Sequence, residues 1–148
     1  MGLLNYTTTI DAEQTISEIQ KMLSKHGVSA MMTEYDGSQV AAVSFRINVG
    51  DKPMAFKLPC NWRAVREIFR QEFRTSGSVK HKDKSLDNQA VRTAWRIVKV
   101  WIEAQLAMVE VNMVTVPQVF LPYTIMRDGR TLSEHVETNP SFLLGSSE

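Results

Sequence analysis

Two tight turns between three strand candidates constrain the fold of this chain most strongly. The segment VSAMMTEY (28–35) is followed by Asp36-Gly37, the strongest hairpin signal in the sequence. QVAAVSFRINV (39–49) has an apolar residue at every second position from 41 to 49, as a strand with one buried face requires. Gly50-Asp51 predicts the next turn, and KPMAFKLP (52–59) carries Pro53, which suits an edge strand. Together the three segments predict an antiparallel meander.

Helical periodicity predicts one helix before the strands and two longer helices after them. The first covers residues 11–26, where Asp11 and Gln14 form a candidate capping pair. The second follows Pro59 and covers residues 62 to about 74, with Asn61 at its N-cap. The third is predicted from residue 86 to about 112, with Ser85 as its cap. It is apolar around most of its circumference, which predicts a central position.

Beyond the third helix, the sequence predicts little regular structure. VTVPQVFLPYTIM (114–126) is rich in proline and β-branched residues, so no helix is predicted there. Thr131 and Glu134 form a candidate capping box for a short last helix over 132–137. Residues 138–148 are expected to form a flexible tail.

The order of these elements predicts a single α+β domain over residues 1–137. It consists of an N-terminal helix, a three-stranded antiparallel meander, two longer C-terminal helices packed on the sheet and a short C-terminal extension. The length of 148 residues and the hydrophobic content of 43% fit one domain with its own core. The order helix, strand, strand, strand, helix is also that of double-stranded-RNA-binding domains, but this is an analogy of order and does not fix function.

Composition and motifs exclude several classes of protein. No apolar run approaches the length of a membrane span, and the N-terminus lacks the pattern of a secretory signal, so no membrane partner is expected. The single cysteine, Cys60, excludes an intramolecular disulfide and fits a reducing cytoplasm. A helix start beside Cys60 is a setting for a reactive thiol, but a buried residue at a strand end is the favoured interpretation. No metal-ligand spacing and no glycine-rich phosphate loop occur, so the chain is predicted to be no enzyme and to hold no metal or cofactor.

Charge is distributed unevenly along the chain. Between positions 63 and 99 there are ten Lys or Arg and four Asp or Glu, whereas the rest of the chain has seven basic and twelve acidic residues. Arginine suits phosphate because its planar guanidinium binds two oxygens at once and stays charged. A solvated helix face with Glu67 and Glu72 as local partners is the alternative interpretation. The candidate nucleic-acid or phosphate-binding residues are Arg63, Arg66, Arg70, Arg74, Lys80, Lys82, Lys84, Arg92, Arg96 and Lys99.

The four arginines of the second helix and the three cations of the third form two stripes. Consecutive helices across a short connection tend to be adjacent and antiparallel, so the stripes are expected to converge beneath the lysine-bearing loop. Trp95 is a candidate for stacking on a base, with a core position as the alternative. Phe120, Leu121 and Tyr123 form a candidate interface, since aromatic residues are enriched at interfaces; packing over the third helix is the alternative.

Three functions are compatible with these features. The first is a non-enzymatic accessory protein that binds DNA or RNA through the basic surface. The second is a protein that binds a nucleotide-like small molecule in a pocket with two or three cations. The third is a structural or adaptor subunit of a larger assembly, in which homo-oligomers form when the acidic part of one subunit meets the basic region of the next.

Three segments of the chain resemble a family of small proteins encoded by bacteriophages and prophages, most of them without assigned function. The resemblance implies a phage origin and a host-cytoplasm setting, and it carries over no site residues. In that setting, a sequestered nucleotide-like molecule would be, for example, a host defence signal. The segments are Phe56-x-Leu58-Pro59, Ala94-Trp95-Arg96-x-x-Lys99-x-Trp101-x-Glu103-Ala104-Gln105 and Val119-Phe120-Leu121-Pro122-Tyr123.

Overall fold

A computed structural model describes residues 2–76 and 83–144 of the chain, and within them the predicted α+β fold is confirmed. An N-terminal helix precedes the three strands, and longer helices follow them. The elements are α1 (Ala12–Ser24), β1 (Val28–Asp36), β2 (Gln39–Val49), β3 (Lys52–Lys57), α2 (Trp62–Ser76), α3 (Asp83–Glu110), α4 (Val116–Phe120), a 3-10 turn (Leu121–Tyr123), α5 (Leu132–Thr138) and α6 (Ser141–Leu144).

The three strands form the predicted antiparallel sheet in the order β1-β2-β3. Gly37 and Gly50 have positive φ angles of 65° and 66°, the conformation that tight hairpin turns require and that glycine adopts without strain. In the sheet, Met31 lies opposite Phe45, and Phe45 lies opposite Phe56. This row belongs to the inner face, which packs against the helices.

The hydrophobic core lies between the inner face of the sheet and α3, which confirms the predicted central position of that helix. Trp95 and Ile102 of α3 are fully buried, as are Phe56 of β3 and Phe120 of α4. The Phe120 ring meets the ring of Phe45 edge to face at 5.2 Å, an arrangement that aromatic quadrupoles favour. Both α1 and α2 pack against α3. The long helix α3 therefore lies between α1 and α2, and each of these helices supplies charged side chains that contact it.

Helix starts follow the predicted caps in some places and not in others. Asn61 accepts a hydrogen bond from the Ala64 amide at 3.3 Å, as its predicted N-cap role requires. Asp11 is the N-cap residue of α1, as predicted, but its side chain makes no cap hydrogen bond, so the predicted capping pair with Gln14 does not form. The predicted Ser85 cap is wrong, because α3 begins two residues earlier, at Asp83.

The C-terminal segment contains a short helix, α4, where the sequence predicts none. Residues 116–120 form α4, whose start is closed by a capping box between Thr115 and Gln118. Pro117 lies in the first turn, where a backbone amide would have no carbonyl partner within the helix, so the missing N–H costs nothing. The other capping box, between Thr131 and Glu134 at the start of α5, is confirmed. A further short helix, α6, lies within the predicted tail.

The segment after the 3-10 turn covers one edge of the sheet. Thr124 forms a bridge with Phe56 of β3, and the Ile125 amide donates to the Ala55 carbonyl at 2.8 Å. The outer edge of β3 is therefore partly paired within the chain. Among the described residues, no helix is long and apolar enough to cross a membrane.

Candidate nucleic-acid interface

The start of α2 holds two guanidinium groups against one indole ring. The Arg63 guanidinium carbon lies 4.7 Å from the centre of the Trp62 ring, and that of Arg66 lies 5.4 Å from it. Trp62 itself is almost fully buried, whereas 56% of the Arg63 side chain and 25% of the Arg66 side chain are exposed. Cation–π attraction restricts both side chains, which reduces the entropy that a bound anion would cost them.

Two aspartates from other elements orient these arginines. Arg63 donates to Asp36, at the end of β1, over 2.8 Å, and Arg66 donates to Asp87, in the first turns of α3, over 3.3 Å. More than half of each side chain in the Arg63–Asp36 pair is exposed to solvent. An exposed ion pair of this kind stabilises a fold by only about 0–1 kcal/mol. A phosphate oxygen can therefore replace the Asp36 carboxylate at little cost.

The other cations of this region are described to different degrees. Arg70 is half-buried on the same helix. The backbones of Arg74 and Lys84 are helical, but their side chains are not among the described ones. Lys80 and Lys82 lie outside the described residues. Trp62, Arg63, Arg66 and Arg70 together form the α2 surface.

Arg96 and Lys99 of the second stripe contact α1. Arg96 donates to Glu18 at 3.1 Å and to the Thr15 hydroxyl at 3.2 Å. Lys99 lies 3.2 Å from the second oxygen of Glu18 and 2.8 Å from Glu103. Both cationic side chains are mostly buried. Each cation thus has a carboxylate partner that joins it to the fold.

The pKa values of this network follow from its contacts. Burial tends to raise the pKa of Glu18, but its contacts with Lys99 and Arg96 together lower it below the ordinary value of 4.5. The hydrogen bond to Glu103 is the strongest of the effects that raise the pKa of Lys99 above its ordinary value. Both shifts favour the charged forms, so the network is an interhelix lock between α1 and α3 at neutral pH.

The two stripes do not converge, contrary to the expectation from the sequence. Asp87 marks the side of α3 that meets Arg66 of α2, and Arg96 marks the side that meets α1. These two positions are nine residues apart, which places them roughly 180° apart around a helix of 3.6 residues per turn. The predicted ten-residue surface is therefore divided by α3, and only its α2 part is oriented by an aromatic platform in the described structure.

Arg92 lines a cleft of about 330 Å³ between the start of α1, the β1–β2 turn and α3. Its terminal nitrogen donates to Gln89, and its buried Nε has no hydrogen-bond partner among the described residues. Asp11 and Glu13 line the same cleft. Two carboxylates beside one guanidinium make this cleft a poor site for an anionic nucleotide.

The aromatic candidates are placed in the core rather than at the surface. Trp95 is fully buried, so its predicted role as a stacking platform for a base is wrong. Phe120 is also fully buried and is no interface residue, because its ring packs on Phe45 and Trp101. Tyr123 meets Trp101 edge to face at 5.6 Å and is half-buried. Of the three candidate interface residues, Leu121 alone is largely exposed.

A second cleft, of about 620 Å³, lies between the end of β3 and α5. Its lining includes Cys60 and Glu134. Burial raises the pKa of the Cys60 thiol to about 12, so the group is protonated and a poor nucleophile at neutral pH. The Glu134 carboxylate is occupied as the second half of the Thr131 capping box. In the parts of the chain that the structure describes, no three His, Cys, Asp or Glu side chains cluster as metal ligands would.

Comparison with known proteins finds no match: no protein-family model, no curated protein and no solved structure resembles this chain closely enough to assign it to a family.

The residues that the sequence interpretation missed are the acidic partners, Asp36, Asp87 and Glu18. Asp36 was assigned to a turn, and nothing in the periodicity of α1 distinguishes Glu18 from a solvated carboxylate. The opposite charges at the ends of β1 and α3 are visible in the sequence. Their pairing depends on how the elements pack, which no local pattern encodes.

Proposed function

We propose that this protein binds the phosphate backbone of nucleic acid through the α2 surface and the basic segment that follows it. Residues 62–84 contain seven Lys or Arg and three Asp or Glu. Arg92, Arg96 and Lys99 are not part of the proposed site, because two of them are locked to α1 and the third lies in the separate cleft.

The observation that carries the proposal is the pair of guanidiniums held 4.7 and 5.4 Å from the centre of the Trp62 ring. Each presents donors that suit a phosphate oxygen, and the ring fixes their spacing before any ligand arrives. Successive arginines along one helix face can contact successive phosphates of a polymer, whereas a small anion would contact only one or two of them. Contacts of this kind position a protein on a duplex without reading its sequence, so little sequence preference is expected.

The alternative of a nucleotide-like ligand has weaker support. Such a site needs a pocket with two or three cations. The cleft at Arg92 offers one cation beside Asp11 and Glu13. The arginines of α2 are instead spread along the helix, an arrangement that suits a polymer with repeating phosphates better than a small anion, which binds best in an enclosed pocket.

The test is a fluorescence-polarisation titration of the full chain against single-stranded DNA, duplex DNA and duplex RNA of about two helical turns at low salt. The informative variant is Arg63→Gln combined with Arg66→Gln, which removes two charges and keeps polar side chains. Lys25→Gln combined with Arg127→Gln is the matched control, because it also removes two charges and both residues are exposed, just after α1 and in the turn before α5. The double variant is expected to weaken binding by about tenfold or more, since each phosphate contact adds to the affinity.

The control variant is expected to bind within about twofold of the unmodified protein, apart from the general effect of two lost charges. Absence of binding to all three nucleic acids at low salt would refute the proposal. Equal losses in the double variant and in the control would also refute it, because they would show a response to net charge rather than to the α2 surface.

A further inference from the structure

Strand β1 leaves one edge of the sheet open. The strand is nine residues long and pairs with β2 on one side, and among the described residues nothing pairs with its other side. The opposite edge of the sheet is partly covered by Thr124 and Ile125. An open edge of this length presents unpaired amide and carbonyl groups, which are a template for another strand.

The outer face of β1 carries an exposed apolar residue, Met32, and a carboxylate without an ion-pair partner, Glu34. Ala30, Met32 and Glu34 alternate on this face, and 57% of Met32 is exposed. Ala30 lies opposite Arg46 of β2, and Glu34 lies opposite Ala42. Within the described chain, neither Glu34 nor Arg46 forms an ion pair. Their strand positions are four residues apart, about 13 Å along the sheet, so they do not reach each other within one subunit.

We propose that β1 pairs with β1 of a second copy of this chain, antiparallel and with the two-fold axis at Met32. In this register Met32 meets Met32 of the partner subunit, and Ala30 of each subunit lies opposite Glu34 of the other. The two sheets become one sheet of six strands. The proposal concerns self-association and does not depend on nucleic-acid binding.

Charge complementarity argues for this occupant and register. A row across the sheet then runs from Arg46 through Ala30 to the partner subunit's Glu34. The first and last positions are separated by two strand spacings, about 10 Å between Cα atoms, with a methyl group between them. Long Arg and Glu side chains on the same face span that distance above Ala30. Because the pairing is isologous, the same contact forms twice.

On the helix-facing side of β1, the open edge is not blocked by α1. Met31 and Thr33 point towards the helices but are only half-buried, so α1 does not cover β1 completely. A groove of about 190 Å³ lies between the strand and α1, bordered by Ser17, Gln20 and Thr33. Glu13 is the only charged residue among the described ones that line it, so little charge repulsion is expected there when a symmetry-related copy of α1 approaches.

Disulfide trapping tests the register directly. At an antiparallel two-fold axis the two Cα atoms of residue 32 would be about 4.5–5.5 Å apart, within the range that a disulfide spans. Met32→Cys is therefore expected to form a covalent dimer under mild oxidation of the full chain. Lys52→Cys is the matched control, because Lys52 is exposed in β3 at the end of the β2–β3 hairpin. It is expected to remain mostly monomeric on a non-reducing gel, as is the unmodified protein with its half-buried Cys60.

Charge reversal tests the same contact without a new covalent bond. Sedimentation equilibrium of the unmodified chain is expected to show a concentration-dependent dimer. Glu34→Arg or Arg46→Glu alone should weaken it by about tenfold, because each creates two like-charge contacts. The combined variant should recover to within about threefold of the original, since it restores opposite charges at both contacts. Circular dichroism of each variant separates loss of association from loss of fold.

Three results would overturn the proposal. The first is a monomer at the highest soluble concentration. The second is equal trapping of Met32→Cys and Lys52→Cys. The third is failure of the combined charge reversal to restore a dimer that each single reversal weakens.

Discussion

Glu18 of α1 accepts a hydrogen bond from Arg96 of α3 at 3.1 Å, in a contact that is mostly shielded from solvent. This contact explains why a row of cations on the longest helix does not form a free basic surface. Lys99 uses the other oxygen of the same carboxylate, so one residue of α1 neutralises much of the second stripe. The cationic surface that remains lies on α2, which packs on the opposite side of α3 from α1.

Removal of the Glu18 charge should destabilise the fold. Glu18→Gln leaves Arg96 and Lys99 partly buried with a weaker acceptor, and such a loss typically costs about 1–3 kcal/mol. Urea denaturation followed by circular dichroism measures the change in the free energy of unfolding. Glu137→Gln, an exposed carboxylate at the end of α5, is the control and is expected to change stability by less than about 0.5 kcal/mol. Equal effects of the two substitutions would contradict the lock between α1 and α3.

The same carboxylate should make stability depend on pH in the acidic range. The folded-state pKa of Glu18 lies below its ordinary value of 4.5, so its contribution is present above that pH and is lost as the pH falls through the folded-state pKa. The difference in unfolding free energy between the unmodified protein and Glu18→Gln should therefore shrink as the pH falls below about 4.5. Denaturation series at several pH values check this. A difference that stays constant down to the acid limit would contradict it.

Cys60 should be unreactive in the folded protein. Burial raises the pKa of its thiol to about 12, so very little thiolate is present at neutral or mildly alkaline pH. Alkylation by iodoacetamide, followed by mass spectrometry, is expected to be at least about tenfold slower in the native protein than in urea. Equal rates in the two states would contradict the burial of the thiol, and a faster rate in the native protein would show an activated thiol and reopen a nucleophilic role for the second cleft.

The tryptophans of α2 and α3 should respond differently to substitution. Trp62→Leu removes the ring that orients Arg63 and Arg66, and it is expected to weaken nucleic-acid binding by about threefold to tenfold. Trp95→Phe changes a fully buried residue whose indole nitrogen has no partner in the described structure, and it should leave affinity unchanged. Fluorescence-polarisation titrations measure the affinity of both variants for nucleic acid, and thermal melts show that each variant is folded. A loss of affinity in Trp95→Phe alone would contradict the placement of the site.

The meander could be predicted because its determinants are local. Asp36-Gly37 and Gly50 specify turns whose backbone most residues disfavour, and alternation in β2 specifies which face is buried. The strand partners are then fixed by chain connectivity. The capping box of α4 was equally local, but Pro117 and the β-branched residues around it concealed the Thr115–Gln118 signal.

The site could be predicted only in part, because periodicity gives the face of a helix and not its neighbour. It places Arg92, Arg96 and Lys99 together, but whether they meet solvent, α2 or α1 depends on how three helices pack. Glu18 decides that question, from a position about eighty residues earlier in the chain. On α2, Arg63 is more than half exposed beside Asp36, whereas Arg66 is mostly buried beside Asp87, and periodicity does not distinguish these two positions either.

The salt dependence of nucleic-acid binding tests the central claim most directly. The logarithm of the association constant for duplex DNA should fall linearly with the logarithm of salt concentration, because neutralised phosphates release their counterions. For the Arg63→Gln, Arg66→Gln variant the slope should be smaller in magnitude by about two, one for each lost phosphate contact. A slope near zero for the unmodified protein, or the same slope for the protein and the variant, would contradict a phosphate-binding role for the α2 surface.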